Sequence, residues 1–392
     1  MSSIVIQGDT SGSITVEAPS VAGTHTLTLP KATGNIATDA TVGLGMKNRI
    51  INGDMTIDQR GSGSTSVTSS TTYVTADRFF FNVAPAFNSV TTTNVNLDSL
   101  TPPTGFNNYI GCQVDTGTTV TGDVHYNIRQ QIEGYNVADL DYGTSNAKTI
   151  TVSFWVRSSL TGDFSFSLRN SGSNRAYVTT YNIASANTWE KKTITIAGDT
   201  TGTWLKTNGV GLTVNWGLGN STGNFSTSTL NQWIADNATG ATTAVDWIET
   251  TGAKWYLTGV QLEVGENATP FENRMYGTEL ALCMRYYQKS YDDGVSPGTA
   301  STSGQVNHNF LNLGNYGNIT ESFTVPMRAT PTMTVYDGTS GSSGTIRYWD
   351  GSSEVTRTSN FTLSASPKQW NMADTVFNHT NIIFQWTASA EL

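Results

Sequence analysis

Near the C-terminal end, aromatic residues stand just before Asp-Gly steps three times, in the first case with one further Asp between. The stretches are Tyr291-Asp292-Asp293-Gly294, Tyr336-Asp337-Gly338 and Trp349-Asp350-Gly351. A flat ring at a turn can stack on the apolar face of a sugar while the neighbouring carboxylate accepts hydrogen bonds from hydroxyls. Tyr291, Asp293, Tyr336, Asp337, Trp349 and Asp350 are therefore candidate glycan contacts. The same pattern has a plainer use, because Asp-Gly is good hairpin chemistry and aromatics are good cross-strand partners.

Catalytic constellations are harder to find. The histidines His25, His125, His308 and His379 are scattered, and there is no HExxH, nucleophile elbow or phosphate-binding loop. Glycan cleavage would need two carboxylates across a groove. Asp54 with Asp58, and Glu263 with Glu266, are close in sequence, but strand alternation turns neither pair into a cleft. The expectation is that the chain is not an enzyme and carries no cofactor. One exception is kept: Asp54 and Glu263 would offer hard oxygen ligands to a structural calcium if the first and last strands of their domain pair. Cys112 and Cys283 have no metal-like spacing and read as two free, buried thiols.

The elements that must position these residues are strands. Only 13% of the 392 residues are charged, polarity coming instead from Ser, Thr, Asn and 38 glycines, while 37% are hydrophobic and 10% aromatic. That composition fits a β-rich protein with many turns. A net charge of -9 argues against a nucleic-acid partner. No apolar run approaches membrane-spanning length, and MSSIVIQGD is not a secretory signal. Membrane insertion is not expected.

Three domains are predicted. Residues 1–45 form a short β leader, with Ile4, Ile6, Ile14 and Val16 alternating; too small for its own core, it needs copies of itself or a docking partner. Residues 46–275 carry short β-branched and aromatic runs such as SFWVRSS and DFSFSLR, as a jelly roll or β-sandwich does. Trp155, Trp189 and Trp255 are assigned to its core, and TSTLNQWIAD to a helical turn near Trp233. Residues 276–392 begin with one amphipathic helix and continue as a C-terminal β-sandwich, in which the GTSGSSG run from Gly338 to Gly344 reads as a mobile loop. Thr278 is the expected N-cap, Glu279 lies in the first turn, and Leu280, Cys283, Met284 and Tyr287 form the apolar face. The fold class is thus all-β with a junction helix, packed on its own domains.

NRIINGDMTIDQRG, TADRFFF, IRQQIEGYNVADL, TVSFWVRSS, KWYLTGVQLEVGENATPFENR and ELALCMRYYQKS, in this order, resemble a bacteriophage tail-fibre or receptor-binding appendage module. The leader and the FTVPMRATPT…TASAEL piece are similar to the ends of such fibres. The resemblance implies a jelly roll of the carbohydrate-binding type followed by a distal β head. It also implies a homotrimer in the virion, made in the host cytoplasm and docked through its leader to a tail, baseplate or capsid protein. Its role would be attachment to a host surface glycan. A polysaccharide-depolymerising tailspike and a decoration fibre without a ligand are the alternatives.

Overall fold

Alternation of apolar and polar residues builds most of the described structure as strands. The computed structural model describes residues 3–7, 13–17, 46–61, 65–67, 71–73, 76–84, 91–309, 317–349, 352–358, 361–374 and 381–392. Two compact units are present, residues 1–43 and 44–392. In the first, β1 (Ser3–Gln7) pairs antiparallel with β2 (Ser13–Glu17), setting Ile4 opposite Val16 and Ile6 opposite Ile14. Among the described residues no helix is long and apolar enough to cross a membrane.

The second unit opens with a jelly roll. Its strands are β3 (Thr65–Val67), β4 (Thr71–Tyr73), β5 (Phe80–Ala84), β6 (Thr91–Val95), β7 (Ile110–Val114), β8 (His125–Glu133), β9 (Ile150–Ser158), β10 (Gly162–Arg169), β11 (Ala176–Ile183), β12 (Glu190–Ile196) and β13 (Val210–Gly219). After the short β14 (Ser226–Thr227), β15 (Trp233–Ile234) and β16 (Gly240–Ala241) comes β17 (Lys254–Val264). A seven-stranded sheet runs β15-β11-β10-β13-β8-β5-β4, and a six-stranded sheet runs β12-β9-β17-β7-β6-β3. Their inner faces share one core, in which Phe154 of β9 meets Phe166 at 6.1 Å and Trp216 at 5.7 Å from the other sheet. Gly259, with φ +62, sits in a register shift of β17. The shift lets Trp255 and Leu257 face the core before it and Val260 and Leu262 after it.

Trp155 departs from expectation. Ile150, Val152, Phe154 and Val156 take the inward positions of β9, so Trp155 points out and is half-buried. Trp189 also lies outside that core, edge-on to Tyr109 at 5.6 Å. Trp255 alone of the three is core. No helix forms near Trp233, whose ring instead packs on Trp204 and Tyr142 beside the edge strand β15.

Helix α1 (Tyr276–Met284) leads into β18 (Tyr287–Lys289), β19 (Val306–Asn309), β20 (Gly317–Ser322), β21 (Thr332–Tyr336), β22 (Ile346–Trp349), β23 (Glu354–Arg357), β24 (Phe361–Ala365), β25 (Gln369–Asp374) and β26 (Asn381–Ser389). β26 is the axis of this second sandwich. β18 and β19 pair with it, as do β21 and β22. Ile382, Phe384, Trp386 and Ala388 share a core with Ile319, Trp370 and Met372 of the three-stranded sheet β20-β25-β24.

The helix starts earlier than its sequence suggests, at Tyr276, and Met275 precedes it with no side-chain cap; Thr278 is inside. It also ends at Met284, so Tyr287 belongs to β18. Cys283, with Leu280 and Leu282, packs on Ile51, Ile57, Tyr286 and Leu392, which keeps the apolar face within the unit. Both cysteines are free and buried, and burial pushes both thiols up.

Charged and amide side chains lock this junction. Residues 46–61 form no strand, so side chains must satisfy their main chain. Gln130 accepts from Ile51 N and donates to Ile51 O, both at 2.9 Å, while Asn52 Nδ2 donates to the carbonyls of Ile57 and Asp77 at 2.8 and 3.0 Å. Glu272 accepts from the main-chain N–H groups of Lys47 and Asn48. Glu133 receives Arg285 bidentately at 2.8 and 2.6 Å and the Tyr286 hydroxyl at 2.9 Å. Glu391 takes Arg60 at 2.8 Å and Arg78 as well, and the Arg78 guanidinium lies 3.6 Å over the Tyr286 ring.

Candidate functional site

The outer face of the seven-stranded sheet is polar and yet closed to water. Strand alternation sends Tyr126, Ile128, Val214, Trp216 and Leu168 inward. Their neighbours His125, Asn127 and Arg129 of β8, Asn215 of β13 and Ser167 and Arg169 of β10 therefore face out. Register aligns them in rows: Asn82, Asn127 and Gly217 in one, Phe80, Arg129, Asn215 and Ser167 in the next, and Gln131, Thr213 and Arg169 in a third.

Residues 220–246 cover part of this face. Ser167 donates to the Thr239 carbonyl at 3.0 Å, Ser165 accepts from Ala241 N at 2.9 Å, and Arg169 donates to the Asn237 carbonyl at 3.3 Å. Phe225 meets the His125 ring edge-on at 4.3 Å. Asn127 and Asn215 are 0% exposed, while Arg129 and Gln131 at the margin are half-buried.

Several polar atoms here have no protein partner: both ends of the Asn127 amide, Asn215 Oδ1, His125 Nδ1 and Arg169 Nε. Groups of this kind also occur elsewhere, at the indole N–H of Trp216, Trp247 and Trp370, the Tyr142 hydroxyl and the Nε of Arg49, Arg157 and Arg347. On the outer face they come from three adjacent strands at once. Each buried, unmade hydrogen bond costs about 1–3 kcal/mol, so several of them gathered on one face are a cost that the fold alone does not offset. Burial first, then the positive charges of Arg169 and Arg129, push the His125 imidazole down to about 3. It is neutral at ordinary pH and can both donate and accept.

The turn residues read from sequence fare differently. Tyr291 is buried, its ring 5.9 Å edge-on from Tyr336 and its hydroxyl accepting from Gly298 N at 3.1 Å. Asp337 is buried too. It accepts from Thr339 N at 3.1 Å, Ser340 Oγ at 2.7 Å and Arg347 at 3.1 Å, which ties down the loop expected to be mobile. Gly341 and Gly344, rather than Gly338, take positive φ, so Asp337-Gly338 is no two-residue hairpin. These two side chains hold adjoining loops together and present no surface to a sugar. Asp293 is exposed, and burial and then Asp293 push the Tyr276 hydroxyl up. Trp349 remains 38% exposed, but it stands opposite Asn381 while Tyr336 stands opposite Gln385. Asp350 lies outside the described residues.

Asp54 and Glu263, the pair expected to offer oxygen ligands to a calcium, are each held by separate partners. Asp54 is engaged by Thr56 N and Oγ1 at 3.3 and 2.8 Å. Glu263 is engaged by Gln261 Nε2 at 2.7 Å and by Thr269 N and Oγ1 at 2.9 and 2.6 Å. They share no hydrogen-bond partner, and no group of three or more His, Cys, Asp or Glu that could hold a metal exists among the described residues.

The sequence reading missed His125, Asn127, Arg129, Arg169 and Asn215. A signal existed in HYNIRQQ, SFSLRN and TVNWG, whose outward positions carry amides and guanidines. The ordinary solvent face of β12 carries Lys191, Thr193 and Thr195 instead.

No protein-family model matches the sequence, and no curated protein matches it. Among solved structures, the chain is similar to the enzymatically active domain of tailspike protein 4 of bacteriophage CBA120. Identity is 13% and the TM-score 0.28, with 56% of this chain and 22% of that one covered. It is also similar to the family 11 carbohydrate-binding module of a Clostridium thermocellum cellulosomal cellulase, at 10% identity and TM-score 0.26, covering 53% of this chain and 99% of the module. A family 61 carbohydrate-binding module in complex with β-1,4-galactotriose matches at 12% identity and TM-score 0.26, covering 56% and 100%. At these scores the likeness assigns no residue a role. One expectation is nevertheless corrected: a tailspike domain described as enzymatically active stands among these structures, so the statement that the chain is not an enzyme is withdrawn.

Proposed function

We propose that the jelly roll binds a glycan on the outer face of its seven-stranded sheet, and that the chain serves as a virion appendage attaching to a host surface. The observation that carries the glycan reading is the set of buried, unpartnered polar atoms on β8, β10 and β13. Sugar hydroxyls donate and accept from the same atom, as an Asn127 amide open at both ends requires. The Phe225 ring at the rim adds a flat apolar surface for the C–H face of a pyranose. A nucleic acid is a poor occupant for a chain of net charge -9.

Attachment, homotrimeric assembly and docking through the leader rest on the resemblance of the motif residues to phage fibres. The hairpin of β1 and β2 supports a leader that gains a core by association. Avidity across many copies would let each site bind weakly.

The test is retention of the full chain on an array of bacterial surface polysaccharides, with Asn215→Leu beside it. The expected result is selective retention that Asn215→Leu loses while its thermal unfolding stays unchanged. Equal retention of both proteins would move the site elsewhere.

A further inference from the structure

Two arginines are deeply buried among the described residues, Arg78 and Arg169, with 1% and 8% exposed. A guanidinium stays ionised at any working pH, and removing it from water costs several kcal/mol unless an opposite charge receives it. Arg78 has the Glu391 carboxylate. Arg169 has only neutral oxygens: Nη1 donates to the carbonyl and side-chain oxygens of Asn237, and Nε has no partner. Other arginines near the surface find acids as well, Arg175 on Asp199 and Arg347 on Asp337.

The surroundings of Arg169 strengthen the contrast. Arg129 brings a second positive charge to the same face, its guanidinium 4.7 Å over the Phe80 ring. Among the described residues the charges that act on His125 are those of Arg169 and Arg129, burial lowers the pKa of Arg169, and no carboxylate shifts either group. A protein with 30 acidic and 21 basic residues thus sets Arg169 beside a second guanidine and an imidazole, and among the described residues no acid is paired with Arg169.

Building on the glycan reading above, we propose that the sugar residue seated against Arg169 is anionic, of the uronic-acid class, and that its carboxylate is the partner Arg169 lacks. Asn237 occupies Nη1, and the buried Nε, which has no protein partner, is the edge that can form the planar two-point fork a carboxylate accepts. Asn127 and Asn215 then take hydroxyls of the same or the adjoining residue. The charge-assisted bond supplies affinity, and the neutral amides supply register along the polymer.

The experiment pairs polygalacturonate, alginate and hyaluronate with their carboxyl-reduced forms, and adds a phosphate-bearing teichoic acid. Binding of the full chain to each is measured with Arg169→Gln, Arg169→Lys and Arg129→Gln beside the wild type. We expect at least one acidic polymer to be retained, with affinity falling about tenfold or more on carboxyl reduction. Arg169→Gln should erase that difference without changing affinity for the reduced polymer, and Arg169→Lys should restore part of it. Should Arg169→Gln prove unfolded by circular dichroism, Arg129→Gln, at a half-buried position, carries the same comparison with a smaller loss. Neutral and acidic forms binding alike would overturn this inference and leave the glycan reading intact. Preference for the teichoic acid would overturn the carboxylate assignment, and retention of no polymer would overturn both readings.

Discussion

The junction around α1 and the outer face of the seven-stranded sheet are both buried and polar, and they treat their polar groups in opposite ways. At the junction Glu133 has Arg285 and the Tyr286 hydroxyl, Glu391 has Arg60 and Arg78, and Glu279 has Arg274 and the main chain of Asn52. On the sheet face Asn127, Asn215 and Arg169 keep atoms without partners. A buried network that closes on itself is structural, because any further partner would have to break a bond already made. One left open lowers stability, the cost that the proposed glycan site would carry. All of the closed network named here except Glu391 falls within the stretches that resemble a phage tail-fibre module, so those stretches include the residues that join the two sandwiches.

The largest effect should come from breaking the closed network. Glu391→Ala removes the carboxylate from both Arg60 and Arg78, leaving a guanidinium buried beside Tyr286. Loss of about 3–5 kcal/mol is expected, read as a drop in the urea midpoint. A loss below about 1 kcal/mol would mean the junction is no tighter than a surface ion pair and would end the contrast.

Acid should separate the regions next. The folded-state pKa of His125, about 3, lies below the 6.5 of a free imidazole. As pH falls the unfolded chain takes up this proton first. Its contribution to stability is therefore full above pH 6.5 and is lost toward pH 3, by about 1.4 kcal/mol per pH unit. Asp58, beside the junction, has the opposite sign: burial raises it from 3.8 to about 6, so its contribution is full below pH 3.8 and is lost as pH rises through 6. The difference between wild type and His125→Gln across pH 4 to 6 isolates the sheet face. A flat difference would show that His125 is not held neutral by its surroundings.

Much of this was legible. The alternation in ITVSFWVRS puts Ile150, Val152, Phe154 and Val156 into the core, and Cys283 reads as buried from helical spacing alone. Trp155 is strongly apolar but holds an outward position of β9, and strand parity outweighs apolar character. The slip at Gly259 is invisible without the partner strands. His125, Asn127 and Arg129 fall on one face of β8 by simple alternation. That this face is closed depends on Asn237 and Thr239, which fold over it from far downstream. Long-range register, which no local pattern encodes, aligns Asn215 and Arg169 with it.

A smaller effect, of the opposite sign to that at the junction, is expected from closing the open face. Asn127→Leu replaces an unpartnered amide with an apolar side chain of similar volume. Stability should rise by about 1 kcal/mol while glycan retention falls, the trade expected when a site is kept at the expense of the fold. Thermal unfolding and retention on the same polysaccharide measure the two halves. If Asn127→Leu is destabilising, water or main chain already satisfies the amide, and the open face is closed after all.

The smallest effect concerns the aromatic turns. Trp349 is exposed on β22, and Trp349→Ala should change stability by no more than about 0.5 kcal/mol. Tyr336→Ala should do more, because it strips the ring packed on Tyr291. Glycan retention by the full chain should be untouched by Trp349→Ala, since the open atoms lie on β8, β10 and β13. A fall in retention with unchanged unfolding would place binding in the C-terminal sandwich at a ring with room to stack. In that event the unmade bonds of Asn127 and Asn215 would belong to bound water, and the two buried networks would differ in solvation instead of purpose.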